Sequence, residues 1–262
     1  MKPLQWRGLD FFNPDIAHPN VLIIGCGHIG SYLAFGVARM GVKSITVVDQ
    51  DMVEPHNLPN QFFGETLVKD LSDEPTLFKV VALQQTIKWM MPSVEIQVIP
   101  TRIEAADIKF DNYGCIMVAV DDMNVRKWIW SQLELATKPK LLIDARTGGQ
   151  FANIFGIVLV NDVSRSIYKE NLYDNSEVPE LPCTGTSIID VSFAVVADCL
   201  QKYRQYVKRR SIVGIHTFHD GITGTTSLMR IREFHSDTKR TIDTPGLESG
   251  DRVASPVEAT DG

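Results

Sequence analysis

The chain has no two cysteines in a C-x-x-C spacing. Its four cysteines, Cys26, Cys115, Cys183 and Cys199, are scattered. Such spacing gives no framework for a structural zinc site. A few isolated thiols in a chain this long point to a reducing compartment. There is no run near the roughly 18 apolar residues of a membrane-spanning helix. The opening MKPLQWRGLD lacks the apolar core of a signal peptide. The expectation is a soluble, cytoplasmic protein with no membrane partner. Positive charge is also in short supply: 26 Lys and Arg stand against 32 Asp and Glu, a formal net charge of −6. That balance counts against a nucleic-acid partner, apart from a local basic patch, KRR, at 208–210. No internal repeat is visible. What is present is 44% hydrophobic and 22% charged residues over 262 positions. This is enough for one large α/β domain, alone or with a small appendage.

Periodicity organises the chain. VLIIG (21–25) reads as a buried parallel strand, SYLAFGVARMG (31–41) as a helix stopped by Gly41, and SITVVD (44–49) as a second strand. This is a βαβ unit, so a Rossmann-like, mainly parallel sheet flanked by helices is expected. Residues 50–75 form a long polar loop, of the kind that is often functional. A helix over 77–90, a strand in VEIQVIP, a strand over 113–120, a helix over 125–136 and a strand over 140–146 follow. FANIFGIVLV (151–160) reads as a strand facing the other side of the protein, and 161–187 as a second long polar stretch. A helix over 188–210 precedes strand-like segments in 216–234, an extra strand-containing C-terminal portion. The expected domains are an N-terminal arm (1–19), an α/β domain (20–234) and a polar, disordered tail (235–262).

Gly25-Cys26-Gly27-His28-Ile29-Gly30 matches G-x-G-x-x-G between a strand and a helix. A glycine at each step permits a sharp turn, close backbone approach to phosphate and tight helix–strand packing. The helix N-terminus then aims its amides at the anion. A glycine turn that binds nothing is the bland alternative, and the strand–loop–helix–strand context weighs against it. Asp49 ends the second strand, 24 residues after Gly25, where an acid binds ribose hydroxyls. To this point an NAD(P)-dependent oxidoreductase and an adenylating enzyme fit equally.

The next residues separate them. VVDQDMVEPHNLPNQ (47–61) carries Asp49, Asp51, Val53, Asn57, Leu58 and Gln61; Lys79 follows in LFKVVAL, and Asp121 and Arg126 in VDDMNVR. Over about residues 20–210 this series resembles the ubiquitin-activating-type adenylyltransferases, the ThiF/MoeB/HesA-like superfamily. The missing C-x-x-C pairs make it similar to a zinc-free branch. Two departures stand out: Asn60 occupies the place of an arginine, and Asp122 that of an asparagine.

The resemblance implies ATP and Mg²⁺ as cofactors. It implies a small ubiquitin-like or sulfur-carrier protein as partner, whose C-terminal carboxylate attacks the α-phosphate and releases pyrophosphate. Gly25, Gly27 and Gly30 would shape the phosphate loop and Asp49 would bind ribose. Asp51 would meet nucleotide or metal-bound water, Asn57 and Gln61 would line the triphosphate, and Lys79 would neutralise it. Asp121 would hold Mg²⁺, with Arg126 beside it. Family members act as homodimers, which would carry Arg7 into the neighbouring subunit's site. Each residue also has a plainer reading. Lys79 is then a surface lysine on an amphipathic helix, Asp121 and Asp122 cap the next helix, and Arg7 is solvated. Cys183, in ELPCTGTSIIDVS at a helix start, has two readings. It is a thioester-forming nucleophile like the loop cysteine of some family members, or a small packing residue. Cys26 sits inside the glycine loop, and Cys115 and Cys199 read as buried in a strand and a helix, so these three read as inert. Other readings are a relative that adenylates a tRNA or small-molecule carboxylate, an oxidoreductase, and a non-catalytic scaffold kept open by Asn60.

Overall fold

A computed structural model describes residues 8–18, 20–64, 77–174 and 188–230. Eight strands form one sheet in the order β3-β2-β1-β4-β5-β6-β7-β8. The first five, β1 (Asn20–Ile24), β2 (Ser44–Val48), β3 (Glu95–Ile99), β4 (Cys115–Val118) and β5 (Leu141–Gly148), are mutually parallel. The remaining three, β6 (Phe151–Val158), β7 (Gly214–Asp220) and β8 (Thr225–Arg230), continue the sheet antiparallel.

The apolar runs that mark the parallel strands follow from burial on both faces. In β1, Val21 and Ile23 enter one core, with helices α1 (Gly30–Arg39), α2 (Lys79–Met90) and α5 (Ile189–Arg209). Leu22 and Ile24 enter the other, with Ile129, Trp130 and Leu133 of α3 (Met123–Leu135) and Tyr168 of α4 (Asp162–Glu170). Alternating residues therefore feed opposite layers, and neither face of β1 meets water.

The expected helices and strands are present, with ends displaced by a few residues. Two assignments differ. FANIFGIVLV does not face another side of the protein. It is β6, which hydrogen-bonds to β5 within the same sheet, from Leu141 against Val158 to Gly148 against Phe151. A tight turn at Gly149, with φ of 60°, makes this hairpin possible. The second correction is in the polar stretch 161–187, whose first third forms α4. Asn161 caps it by accepting from the Ser164 amide at 2.9 Å. Its buried stripe is only Ser164, Ile167 and Tyr168, so the five exposed or polar positions Asp162, Arg165, Ser166, Lys169 and Glu170 hide the helical period.

Residues 8–18 of the expected arm pack on α5. Phe12 lies against Tyr203, with ring centroids 5.7 Å apart, and Lys208 donates to the Asp10 carbonyl at 2.7 Å. Arg7, Cys183 and the tail 235–262 lie outside the described residues. No helix among the described residues is long and apolar enough to cross a membrane.

Candidate functional site

The chain runs from β1 outward to β2 and β3, then returns to β4 and β5 on the other side of β1. Ligands in such sheets bind outside the carboxyl ends of the strands, where the order reverses. A cavity of about 640 Å³ opens there. Its lining includes Gly25, Gly27, Asp49, Asp51, Gln61, Lys79, Asp121 and Arg126. Residues separated by up to about a hundred positions thus converge.

The three motif glycines have different reasons for lacking a Cβ. Gly25 has φ of 92°, and a Cβ there falls 2.5 Å from the Ala119 carbonyl oxygen. At Gly30 it falls 1.9 Å from the Gly25 oxygen. These two are fixed by the chain's own packing. At Gly27 a Cβ meets nothing within 4 Å, and Gly27 lines the cavity. The space beside it is left for a ligand. The amides of Gly27, His28 and Ile29, which lead into α1, find no acceptor among the described residues. They form an anion-binding end.

Asp49 anchors the loop. Its Oδ2 accepts from the Cys26 amide at 2.6 Å and its Oδ1 from the Asp51 amide at 2.7 Å. A carboxylate has lone pairs to spare for ribose hydroxyls. Burial raises the Asp49 pKa above the ordinary value, while the two amides oppose the rise. Lys79 is buried at the start of α2, and its Nζ contacts Asp51 Oδ2 at 2.8 Å. Lys79 is therefore no solvated surface lysine. Asp51, by contrast, is half exposed and bridges between the cation and the cavity. Gln61 Oε1 is buried at the cavity wall with no partner among the described residues.

Asp121 is exposed beyond the end of β4 and lines the cavity. Its neighbour Asp122 does the capping, accepting from the Asn124 amide at 2.7 Å at the start of α3. The two aspartates thus divide the roles. Among the described residues no three His, Cys, Asp or Glu side chains gather as a metal cage. Magnesium suits such a place all the same, since it binds through one or two carboxylates with phosphate oxygens and water.

Two sequence candidates sit differently. Asn57 is buried and does not line the cavity. Its Oδ1 accepts from the Glu54 amide at 3.0 Å, closing a short 3₁₀ turn at Pro55–Asn57. Arg126 reaches the wall, and its Nε and Nη2 donors are used internally. Its Nε binds Asp144 Oδ1 at 3.0 Å, and its Nη2 the carbonyls of Val120 and Ala145.

Three wall residues escape the sequence reading: His28, Arg102 and Arg146. Arg146 Nε binds Asp144 Oδ2 at 2.7 Å, and Tyr168 donates to the same oxygen at 3.0 Å. Burial alone would raise the Asp144 carboxyl; the Arg126 and Arg146 guanidiniums reverse this and hold it below the ordinary range. One carboxylate between two guanidiniums leaves a net positive charge in the wall. The signal was present in IDAR: an acid and an arginine two apart lie on one face at a strand's carboxyl end. Arg102 Nε binds Gln50 Oε1 at 2.8 Å. The thiols of Cys26, Cys115 and Cys199 are buried, and burial raises the pKa of each, so none is a ready nucleophile.

Comparison with known proteins bears on the family and the fold. The Schizosaccharomyces pombe NEDD8-activating enzyme E1 catalytic subunit is 30% identical over 131 residues, 49% of this chain and 28% of that protein. The adenylyltransferase and sulfurtransferase MOCS3 of Dictyostelium discoideum is 28% identical over 151 residues, 53% of this chain and 34% of that protein. This chain thus spans about a third or less of the length of these two curated relatives. The crystal structure of E. coli MccB with AMPCPP and MccA shares the fold, with a TM-score of 0.59 at 16% identity, over 81% of this chain and 63% of that one. The model of the ThiF family matches residues 12–239, and this chain belongs to that family.

Proposed function

We propose that this chain is an ATP-dependent adenylyltransferase. It activates the C-terminal carboxylate of a small ubiquitin-like or sulfur-carrier protein. The observation that carries the reading is the cavity in which an open Gly27, the amides that lead into α1, the Lys79–Asp51 pair and Asp121 converge. Relatives named as a NEDD8-activating enzyme and as an adenylyltransferase and sulfurtransferase support it, as does MccB, solved with ATP. An oxidoreductase has no use for Asp51, Lys79 and Asp121 at one phosphate loop.

The phosphates rest on the amides of Gly27, His28 and Ile29, and the ribose on Asp49. Lys79 turns from Asp51 toward the β- and γ-phosphates. A carboxylate oxygen of the carrier bonds to the α-phosphorus. The bond from that phosphorus to the oxygen bridging to the β-phosphate breaks, and the electron pair leaves with pyrophosphate. The chain contributes position and charge rather than a covalent step. Asp121 would hold Mg²⁺, which supplies charge neutralisation for the leaving phosphates. Transfer to Cys183, with a thioester formed and AMP released, is the second step of this reading. A cytoplasmic homodimer with Arg7 in the neighbouring site completes it; a strict monomer by light scattering would remove the role of Arg7.

ATP–pyrophosphate exchange, with carrier proteins ending in Gly-Gly, tests the reading. The wild-type chain is expected to exchange and Asp121→Ala to lose exchange by about two to three orders of magnitude. No exchange with any carrier, together with tight NAD binding, overturns it. A reducible conjugate that persists in Cys183→Ala removes the thioester step alone.

A further inference from the structure

His28 has no assigned role, yet it lines the cavity of the site. It stands between the second and third motif glycines. Its Nε2 lies 2.9 Å from the Thr147 hydroxyl, near the carboxyl end of β5. In the sheet, β1 and β5 are separated by β4. Adjacent strands lie about 4.8 Å apart, so a side chain joining the β1 loop to β5 must cross the end of β4. Ala119, Val120 and Asp121 follow that end, and all three line the same cavity. The imidazole therefore crosses the gap between the open phosphate loop and Asp121. A polyphosphate that spans from those amides to a cation at Asp121 passes the ring.

We infer that His28, held in place by Thr147, is a direct ligand of the nucleotide's phosphate chain. The inference rests on the nucleotide reading above and adds a residue to it. Thr147 is its positioning residue. Burial keeps the imidazole pKa below the ordinary value, with Asp121 acting in the opposite direction and Lys79 in the same one. A neutral imidazole carries one N–H and one acceptor nitrogen. With the Thr147 hydroxyl donating to Nε2, the proton resides on Nδ1, which is then a donor. Phosphate oxygens accept only, so this is the polarity they need. The hydroxyl can rotate to either role, whereas valine in its place fixes neither the ring nor its tautomer.

Titration calorimetry of the full chain with Mg·ATP and with AMP tests this. Thermal midpoints show whether each variant is folded. His28→Ala is expected to weaken ATP binding by about ten- to a hundredfold, the range for a hydrogen bond to a charged group. Thr147→Val is expected to weaken it by a smaller factor, and Thr147→Ser, which keeps the hydroxyl, to recover the loss. A folding defect alone would lower the thermal midpoint and would not be relieved by serine. ATP binding at wild-type strength in His28→Ala overturns the inference and leaves the nucleotide reading intact. Unfolding of His28→Ala shifts the decision to the threonine pair: equal affinities for valine and serine overturn the inference, and a difference supports it. If the wild-type chain binds neither ATP nor AMP, the nucleotide reading and this inference fall together.

Discussion

The two halves of the sheet solve different problems. The parallel half, β3-β2-β1-β4-β5, has its central strands covered on both faces and collects the loops that leave its strands at one edge. Every cavity residue of the proposed mechanism comes from those loops or from the helices that begin there. In the antiparallel half, tight turns join β5 to β6 and β7 to β8, α4 and α5 lie between β6 and β7, and Phe151, Phe218, Leu228 and Met229 are part exposed. A parallel strand must be followed by a crossover that brings the next carboxyl end to the same edge. A hairpin sends alternate ends to opposite edges, so β6-β7-β8 cannot concentrate side chains in this way. The antiparallel half extends the sheet and the parallel half forms the site.

The two halves meet at Asp144, and breaking that junction is expected to have the largest effect. Asp144→Ala leaves Arg126 and Arg146 buried and unpaired, at a cost of about 3–5 kcal/mol. Chemical denaturation should show it as a lower midpoint at unchanged slope. A loss under about 1 kcal/mol would mean that the guanidiniums find other partners.

Within the parallel half, Gly27 and Gly30 sharpen the contrast between ligand-driven and packing-driven glycines. Gly27→Val is expected to keep the thermal midpoint and weaken ATP binding about tenfold or more, because the side chain enters the ligand's space. Gly30→Val is expected to lower the midpoint, because the new Cβ overlaps the Gly25 carbonyl. Calorimetry and thermal melts read the two effects separately. Equal midpoints for both variants would break the distinction.

Acid should also destabilise the fold through two histidines outside the cavity. Burial lowers the pKa of His18, beside α5, and of His216, on β7, from 6.5 to about 4. Arg210 adds to the effect at His18, and Arg146 and Lys202 at His216. The unfolded chain therefore binds more protons between pH 6.5 and about 4, and stability must fall as pH drops through that window. Melting at pH 7 and pH 5 should show a lower midpoint in acid, with a smaller drop in His216→Gln. An identical drop would remove His216 from the account.

The smallest effect is expected at the outer turn of the antiparallel half. Ile222 is 66% exposed between β7 and β8. Ile222→Ser should change stability by no more than about 0.5 kcal/mol and leave pyrophosphate exchange unaltered. A large loss of exchange would show that this half takes part in the reaction.

Much of the parallel half was legible because burial on both faces leaves near-continuous apolar strands between amphipathic helices. GCGHIG was legible because a sharp turn and close packing demand glycine at fixed offsets. The antiparallel attachment of β6 was not legible. FANIFGIVLV is as apolar as a parallel strand, and only the tight turn at Gly149 fixes its direction. Helix α4 was hidden because one buried stripe of three residues cannot overcome a polar majority. At the site, the family resemblance points to Asp51, Gln61, Lys79 and Asp121, and these line one cavity. It points equally to Asn57, which closes a backbone turn instead.

The sequence by itself determined the βαβ unit, the phosphate loop and the candidate acids, because backbone conformation and burial restrict residue type locally. Tertiary structure alone decided that Gly27 faces open space, that Arg126 and Arg146 share Asp144, and that His28 reaches Thr147. Those outcomes depend on strand order, which places loops over a hundred residues apart side by side. No local pattern encodes such a distance, because it is set by which strands pair and at which register.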